Sequence, residues 1–173
     1  MNFRFLIFLF ITNSLNAQKN NVPNILLINI DDMGWKDVGF MGSEYYETPN
    51  IDKLAKQGMI FTNGYAAAAN CSPSRASLMT GLWTTRHGIY TVGSSERGNV
   101  RDRKLIPIKN KRSLSNNFKI IPQVLKEYGY TTCHAGKWHL TNDPKKFGFD
   151  FNIGGSHSGF PKSYYPPYKN VDI

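Results

Sequence analysis

The sequence predicts an α/β domain built around a parallel or mixed sheet. Apolar, β-rich runs at residues 25–30, 59–61 and 130–135 have the composition of strands that are covered on both faces. Helical patterns at residues 48–58 and 121–129 alternate with these runs. The chain has 173 residues, which is enough for one such domain with a core of its own.

The first predicted strand ends at two adjacent acids. Residues 25–30 are followed directly by Asp31 and Asp32. Ligands gather at the carboxyl ends of strands in an α/β sheet, and neighbouring carboxylates repel each other and favour a cation. The pair is therefore a candidate metal site, with a cap or turn at a strand–helix junction as the alternative.

Both predicted helices have recognisable ends. In residues 48–58, Thr48 is a candidate N-cap, Pro49 suits the first helical position and Gly58 suits the end. In residues 121–129, apolar side chains recur at i, i+3, i+4 and i+7. Each segment is long enough for two to three helical turns.

Two candidate site residues follow the third predicted strand. Lys137 and His139 alternate with Trp138, so an extended backbone would direct both toward the cleft where the strand ends. Cys133 falls within the strand, and we expect it to be a small buried apolar group. A disulfide between Cys133 and Cys71 is the alternative for an exported protein.

The charge favours an anionic partner. Lys and Arg number 21 against 12 Asp and Glu, a formal net charge of +9. This excess does not distinguish nucleic acid, lipid, or a sulfated or phosphorylated substrate. Residues 97–112 are rich in Lys and Arg without periodic apolar positions, which predicts a solvated loop. They also lack the interleaved aromatic residues of a nucleic-acid site, so no nucleic-acid partner is expected.

The amino terminus has the pattern of a secretory signal. Arg4 precedes an apolar run at residues 5–11, and Ala17 suits a cleavage site. The run is much shorter than the roughly 20 residues of a membrane-spanning helix, so no stable membrane anchor is expected. We therefore expect residues 1–17 to be a signal peptide that directs secretion or export to a periplasm.

Residues 70–81 carry the most specific motif. Their core, Cys71-Ser72-Pro73-Ser74-Arg75, resembles the signature of the type I sulfatases, in which the cysteine is oxidised to formylglycine. Residues 129–139 resemble the second signature of that family, and residues 24–35 resemble its opening metal-binding strand. Three motifs in the right order are far more specific than one.

The resemblance extends over about residues 22–168 and implies a fold. That fold is an alkaline-phosphatase-like mixed sheet with helices on both faces. Residues 22–173 would be the N-terminal part of the catalytic domain, because members of the family supply a further Asp–Asn pair, His and Lys from later positions. We therefore expect these 173 residues alone to be inactive.

The resemblance also implies the chemistry and the residues. It implies hydrolysis of sulfate esters, with calcium and formylglycine as cofactors and a formylglycine-generating enzyme as partner. The formylglycine hydrate would attack sulfur, and its second hydroxyl would allow sulfate to leave. The implied residues are Cys71, Arg75, Lys137 and His139 for catalysis, Asp31, Asp32 and Cys71 for the metal, and Lys137 and His157 for the substrate.

The sequence is also compatible with two other functions. A phosphodiesterase or phosphonate monoester hydrolase of the same superfamily would use the same aldehyde hydrate on phosphorus. A non-catalytic, polyanion-binding secreted module would account for the charge without any turnover. Sulfated glycans are the expected substrates of an exported basic sulfatase, but the sequence does not indicate which one.

Overall fold

The structure, a computed structural model, describes residues 22–167 and consists of two units that meet in sequence after Ile30. The predicted signal peptide at residues 1–17 lies outside the described residues. Within the first unit, residues 22–30 have no regular secondary structure and their side chains are exposed. All helices and strands described below belong to the second unit, which starts at Asp31.

The expected strands at residues 25–30 and 59–61 are not formed, and this part of the prediction was wrong. The third expected strand is shorter than predicted, since residues 130–132 are not part of it. A strand is held by ladder hydrogen bonds to a neighbour, which an apolar run does not specify by itself. In the described part of the chain, two strands form such a ladder.

Helix α1, Pro49–Gln57, confirms the first predicted helix and both of its ends. Pro49 occupies the first turn and Gly58 follows the last residue. Thr48 stands at the N-cap, but its side chain does not bond to the helix backbone. Its hydroxyl instead accepts a hydrogen bond from Gly39 N–H at 2.8 Å and donates to Asp52 Oδ1 at 2.9 Å. Thr48 thereby ties the helix to the 3₁₀ turn Gly39–Met41.

Helix α2 runs from Cys71 to Thr80, and the short helix α3 runs from Thr84 to His87. Asn70 precedes α2 in an extended conformation, and Pro73 lies in the first turn, where its missing N–H costs no helical hydrogen bond. Gly81 ends α2 at φ 68°, and its N–H donates to the Ser77 carbonyl at 2.8 Å. Glycine suits this left-handed position because it has no Cβ.

Helix α4, Ile121–Glu127, confirms the second predicted helix. The Gln123 side-chain oxygen accepts a hydrogen bond from Ile120 N–H at 2.9 Å, which satisfies a donor at the start of the helix. Strand β1, Cys133–Ala135, follows and pairs in parallel with β2, Phe151–Ile153. The parallel pairing agrees with the predicted class of sheet.

Trp138 is the largest side chain of the core, with 1% of its surface exposed. It belongs to a buried cluster with Ala76, Ile89, Leu114, Ile120, Leu140 and Phe147. Its indole N–H donates to Thr141 Oγ1 at 2.8 Å, so the ring is buried without an unpaired donor. This anchor fixes the backbone on which Lys137 and His139 stand.

Three other sequence expectations have clear outcomes. Residues 97–112 are a loop, as predicted, apart from a 3₁₀ turn at Val100–Asp102. Cys133 is exposed rather than buried, so that prediction was wrong. Cys71 and Cys133 are both free thiols. Among residues 22–167, no helix is both long and apolar enough to cross a bilayer.

Candidate active site

Asp31, Arg75 and Lys137 form one ionic cluster. Arg75 Nη2 lies 3.1 Å from Asp31 Oδ1, and Lys137 Nζ bonds to the other carboxylate oxygen, Oδ2. Arg75 Nη1 also donates to the Lys137 backbone carbonyl. The three residues are separated by 44 and 62 positions in sequence. The fold therefore brings together one candidate metal ligand and two candidate catalytic cations.

The cluster keeps the Asp31 carboxylate ionised. Partial burial disfavours the charged form, but the hydrogen bonds and positive charges of Lys137 and Arg75 outweigh it and lower the pKa of Asp31 below 3.8. One carboxylate faces two cations, so the cluster as a whole retains positive charge. That excess favours a bound anion.

Cys71 lies one helical turn before Arg75, on the same side of α2. The two residues are at i and i+4, where side chains of a helix are neighbours. Cys71 is half-buried at the first helical position, next to N–H groups that have no partner inside the helix. A group at position 71 therefore stands beside both a helix N-terminus and a buried guanidinium.

His139 is buried and has an unusual backbone. It is 8% exposed and lies at φ 60°, a left-handed conformation that few residues other than glycine adopt. Its N–H donates to the Ser156 carbonyl at 2.9 Å. Burial lowers the pKa of His139, and the positive charges of Lys137, His157 and Arg75 lower it further. The imidazole is therefore neutral at neutral pH.

Two buried polar atoms lack a hydrogen-bond partner in the described part of the chain. They are Arg75 Nε and His139 Nδ1. Burying an unpaired polar group costs about 1–3 kcal/mol, so such groups are rare unless a ligand pairs with them. Both atoms belong to residues that the sequence singled out for catalysis. The unpaired groups of this structure thus coincide with the candidate site.

His157 lies beside His139, with 6.2 Å between the ring centroids. Its Nε2 is 3.1 Å from the Arg112 carbonyl, and the residue is exposed, as predicted. The structure thus places this candidate substrate contact next to a candidate catalytic residue. The other two histidines have structural partners: His87 is buried 3.0 Å from Ser77 Oγ, and His134 packs against the Trp138 ring.

Asp32 is exposed and lies at φ 57°, directly after Asp31. In the described ranges, no three His, Cys, Asp or Glu residues cluster closely enough to hold a metal ion. Both oxygens of Asp31 are bonded to the cations Arg75 and Lys137. The carboxylates of Asp31 and Asp32 are hard oxygen donors of the kind that calcium prefers, but they supply fewer than the about 6–8 oxygens it takes.

Sequence reasoning missed Ser156 and Gly159 as supports of His139. A Cβ at Gly159 would lie 2.8 Å from His139 Cε1 and 3.0 Å from Nε2, so this position has no room for a side chain. The glycine-rich composition of residues 154–159 was the signal in the sequence, because glycine is used where another group approaches the backbone closely. The partner ring could not be inferred from it.

Comparison with known proteins gives matches along most of the chain. The family model described as Sulfatase matches residues 23–172. N-acetylgalactosamine-6-sulfatase of Homo sapiens is 38% identical over 152 residues, covering 86% of this chain and 27% of that protein. Arylsulfatase G of Mus musculus is 37% identical over 156 residues, covering 84% of this chain and 27% of that protein.

A solved structure matches in three dimensions as well. The crystal structure of Ps i-CgsB in complex with k-i-k-neocarrahexaose superimposes with a TM-score of 0.59 at 37% identity. The match covers 79% of this chain and 29% of that one. At 27% coverage of both curated relatives named above, the chain spans about a quarter of their length. The predicted fold class, that of the sulfatases with their alkaline-phosphatase-like sheet, is confirmed.

Proposed function

The chain belongs to the sulfatase family, and we propose that the protein hydrolyses sulfate esters with a nucleophile derived from Cys71. One observation carries the proposal: the two buried polar atoms left without partners in residues 22–167 belong to Arg75, a member of the cationic cluster, and to His139. A tetrahedral anion such as sulfate would supply an acceptor for Arg75 Nε, and also for His139 Nδ1 in the tautomer that carries the proton there. The position of Cys71 on the same face of α2 as Arg75 supports its role as the attacking group.

Conversion of Cys71 to formylglycine is part of the proposal. Its hydrate would supply one hydroxyl that attacks sulfur and a second whose deprotonation releases sulfate, a route that a serine or a thiol lacks. Arg75 holds the Lys137 carbonyl and the Asp31 carboxylate, so it fixes the geometry around position 71. We also propose a formylglycine-generating enzyme as the partner that makes this change.

Lys137 and His139 would act on the substrate and on the hydroxyl at position 71. Lys137 is a fixed cation that can bond a sulfate oxygen, which stabilises charge in the transition state. His139 would hydrogen-bond the hydroxyl at position 71, and burial together with neighbouring cations lowers its pKa, which favours the neutral imidazole. His157 is a further candidate contact to the sulfate ester, since its ring adjoins His139.

Calcium is the proposed metal. Asp31 and Asp32 fit it in donor type, and would hold it together with the oxygen at position 71 and ligands beyond these residues. A calcium ion bound there would offset the charge of the sulfate oxygens and orient them. Asp31 is already ionised, so its carboxylate needs no deprotonation to bind a cation.

Sulfated glycans are the proposed substrates, and export through the signal at residues 1–17 would bring the protein to them. One matched relative is named for an N-acetylgalactosamine sulfate, and one matched structure contains a neocarrahexaose. Phosphoester or phosphonate hydrolysis is the second candidate, because a tetrahedral phosphorus group presents the same anionic oxygens to Arg75 and Lys137.

The test combines mass spectrometry with turnover. We expect the peptide that contains Cys71 to carry an aldehyde instead of a thiol when the full-length protein is produced with a formylglycine-generating enzyme. Hydrolysis of an aryl sulfate should then exceed that of the matching aryl phosphate. An intact thiol in fully active protein would contradict the mechanism, and preference for the phosphate would favour the second candidate.

A second prediction concerns the support of His139. Gly159→Ala should lower sulfate-ester turnover by about 10²-fold, since a misplacement of about 1 Å in a catalytic group can have this effect. The added methyl group would lie within 3.0 Å of the His139 ring, so the ring must move. Gly64→Ala is the matched control, because its Cβ meets no atom closer than 3.5 Å. Equal activity of the two variants would show that His139 tolerates displacement.

A further inference from the structure

Residues 91–112, here called the basic loop, carry an uncompensated positive charge. Residues 97–112 contain seven Lys and Arg and one Asp. Among residues 22–167, the salt bridge that involves a cation of this loop is Arg103 to Glu96, at 3.7 Å and near the surface. Glu96 and Asp102 offset two of the seven positive charges, which leaves a net charge of +5 in residues 91–112. The loop therefore presents a concentrated positive surface to solvent.

Internal hydrogen bonds give the basic loop a defined shape. The Asn110 side chain accepts from Tyr90 N–H at 2.7 Å and donates to the carbonyls of Thr91 at 2.9 Å and Gly93. The Arg97 guanidinium donates to the Val92 carbonyl at 3.0 Å. A chain segment with these closures loses less entropy on binding than a flexible basic tail does.

Arg103 adds a second closure within the loop. Its Nε donates to the Arg97 carbonyl at 3.1 Å and its Nη2 to the Gly98 carbonyl at 3.2 Å. Carbonyl acceptors orient a guanidinium but leave its positive charge in place. Arg97 and Arg103 are thus held at fixed positions as cations.

Both ends of the basic loop are tied to the candidate active site. At one end, Asn70, which precedes Cys71 at the start of α2, donates to Thr91 Oγ1 at 2.8 Å. At the other end, the Arg112 carbonyl is 3.1 Å from His157 Nε2, and His157 adjoins His139. The loop therefore connects the nucleophile's helix with the histidine side of the site.

The loop also contains an open cavity of about 330 Å³. Its lining combines three cations with apolar surface: Ser95, Arg97, Arg103, Lys104, Leu105 and Pro107. The apolar side chains of Leu105 and Pro107 suit the face of a sugar ring, while the cations suit sulfate or carboxylate groups.

We propose that the basic loop is a second anion subsite, which binds a neighbouring sulfated or uronic sugar of a polyanionic glycan while the ester to be cleaved lies at Cys71. The inference rests on the proposed function, and it assigns the substrate class as a multiply charged oligosaccharide rather than a small monosulfate. The loop would raise affinity for the polymer without taking part in the bond-breaking step. It would accordingly affect KM for a glycan and leave a small aryl sulfate unaffected.

The test reverses charge in the loop of the full-length protein. The variant is Lys104→Glu with Lys109→Glu, both exposed and neither placed in the catalytic machinery. The control is Lys53→Glu with Lys56→Glu, two exposed lysines of α1 that change the net charge by the same amount. Both pairs are made in the Cys71→Ala background for binding and in the active background for turnover.

The probe is a chondroitin sulfate hexasaccharide with one sulfate and one carboxylate in each disaccharide. We expect the loop variant to bind it at least tenfold more weakly, and the α1 variant to bind within twofold of the parent. Aryl sulfate kcat/KM should stay within twofold in both. Binding should also weaken with added salt in the parent, because exposed charges are screened.

Three results would overturn the subsite. One is equal loss of affinity in both variants, which would show a general charge effect. Another is unchanged hexasaccharide affinity in the loop variant. The third concerns binding to vesicles that contain phosphatidylserine. If the loop variant lost affinity for these vesicles and not for the hexasaccharide, the loop would be assigned to a membrane surface. Absence of aryl sulfate turnover in every protein would overturn the proposed function instead, while hexasaccharide affinity would still decide the subsite.

Discussion

Replacing Cys71 with serine is expected to abolish multiple turnover of sulfate esters, with a loss larger than the roughly 10²-fold that removal of one transition-state hydrogen bond causes. Serine at position 71 can attack sulfur only once, because it offers no second hydroxyl on the same carbon to expel the sulfate. The measurement is steady-state hydrolysis of an aryl sulfate by the full-length protein, followed by mass spectrometry for a sulfated position 71.

The control for this substitution is Cys133→Ser. Cys133 is an exposed free thiol on β1, with its sulfur 3.7 Å from the His134 carbonyl. Its replacement should leave both turnover and unfolding temperature unchanged. If the Cys71→Ser protein turned over substrate repeatedly at the parent rate, an aldehyde hydrate would not be required and the proposed mechanism would be refuted.

Arg75→Met is expected to have the second-largest effect. The substitution keeps much of the side-chain volume but leaves the partly buried Lys137 carbonyl without its donor, at a cost of about 1–3 kcal/mol in the free energy of unfolding. Asp31 would keep Lys137 and lose Arg75. Turnover should fall by about 10²–10³-fold, since a fixed cation beside position 71 is removed.

Chemical denaturation and aryl sulfate hydrolysis measure the two effects of Arg75→Met separately. Arg86→Met on α3 is the matched control, because Arg86 is exposed. The control should lose less than about 0.5 kcal/mol of stability, as is usual for surface substitutions. Parent-like turnover by the Arg75 variant would mean that the guanidinium supports the fold alone.

Helices α1 and α4 could be predicted because their signals are local, whereas α2 and α3 were not predicted. Pro49 and Gly58 set the ends of α1, and the apolar spacing of α4 holds within one segment. The strands at residues 25–30 and 59–61 could not be predicted reliably, because a strand exists only with a partner that lies elsewhere in sequence. The exposure of Cys133 could not be predicted for the same reason, because the burial of its side chain depends on what packs over β1.

For the candidate site, residue identity was predictable and geometry was not. The motif at positions 71–75 and the pair Lys137 and His139 pointed to the chemistry before any contact was known. No pattern in the sequence indicated that Arg75 bonds to the Lys137 carbonyl, or that Gly159 lies against His139. These contacts join segments far apart in the chain, where only the folded structure specifies neighbours.

The hydrogen bond from Arg75 to the Lys137 carbonyl can form only after Lys137 has been synthesised. Its two ends are 62 residues apart, so the ribosome must add 62 residues after Arg75 before its partner exists. At about 5–20 residues per second this takes roughly 3–12 s. During that interval the 71–75 segment cannot acquire its final contacts. A modifying enzyme that needs an unfolded cysteine motif would therefore have seconds of access to Cys71 on the growing chain.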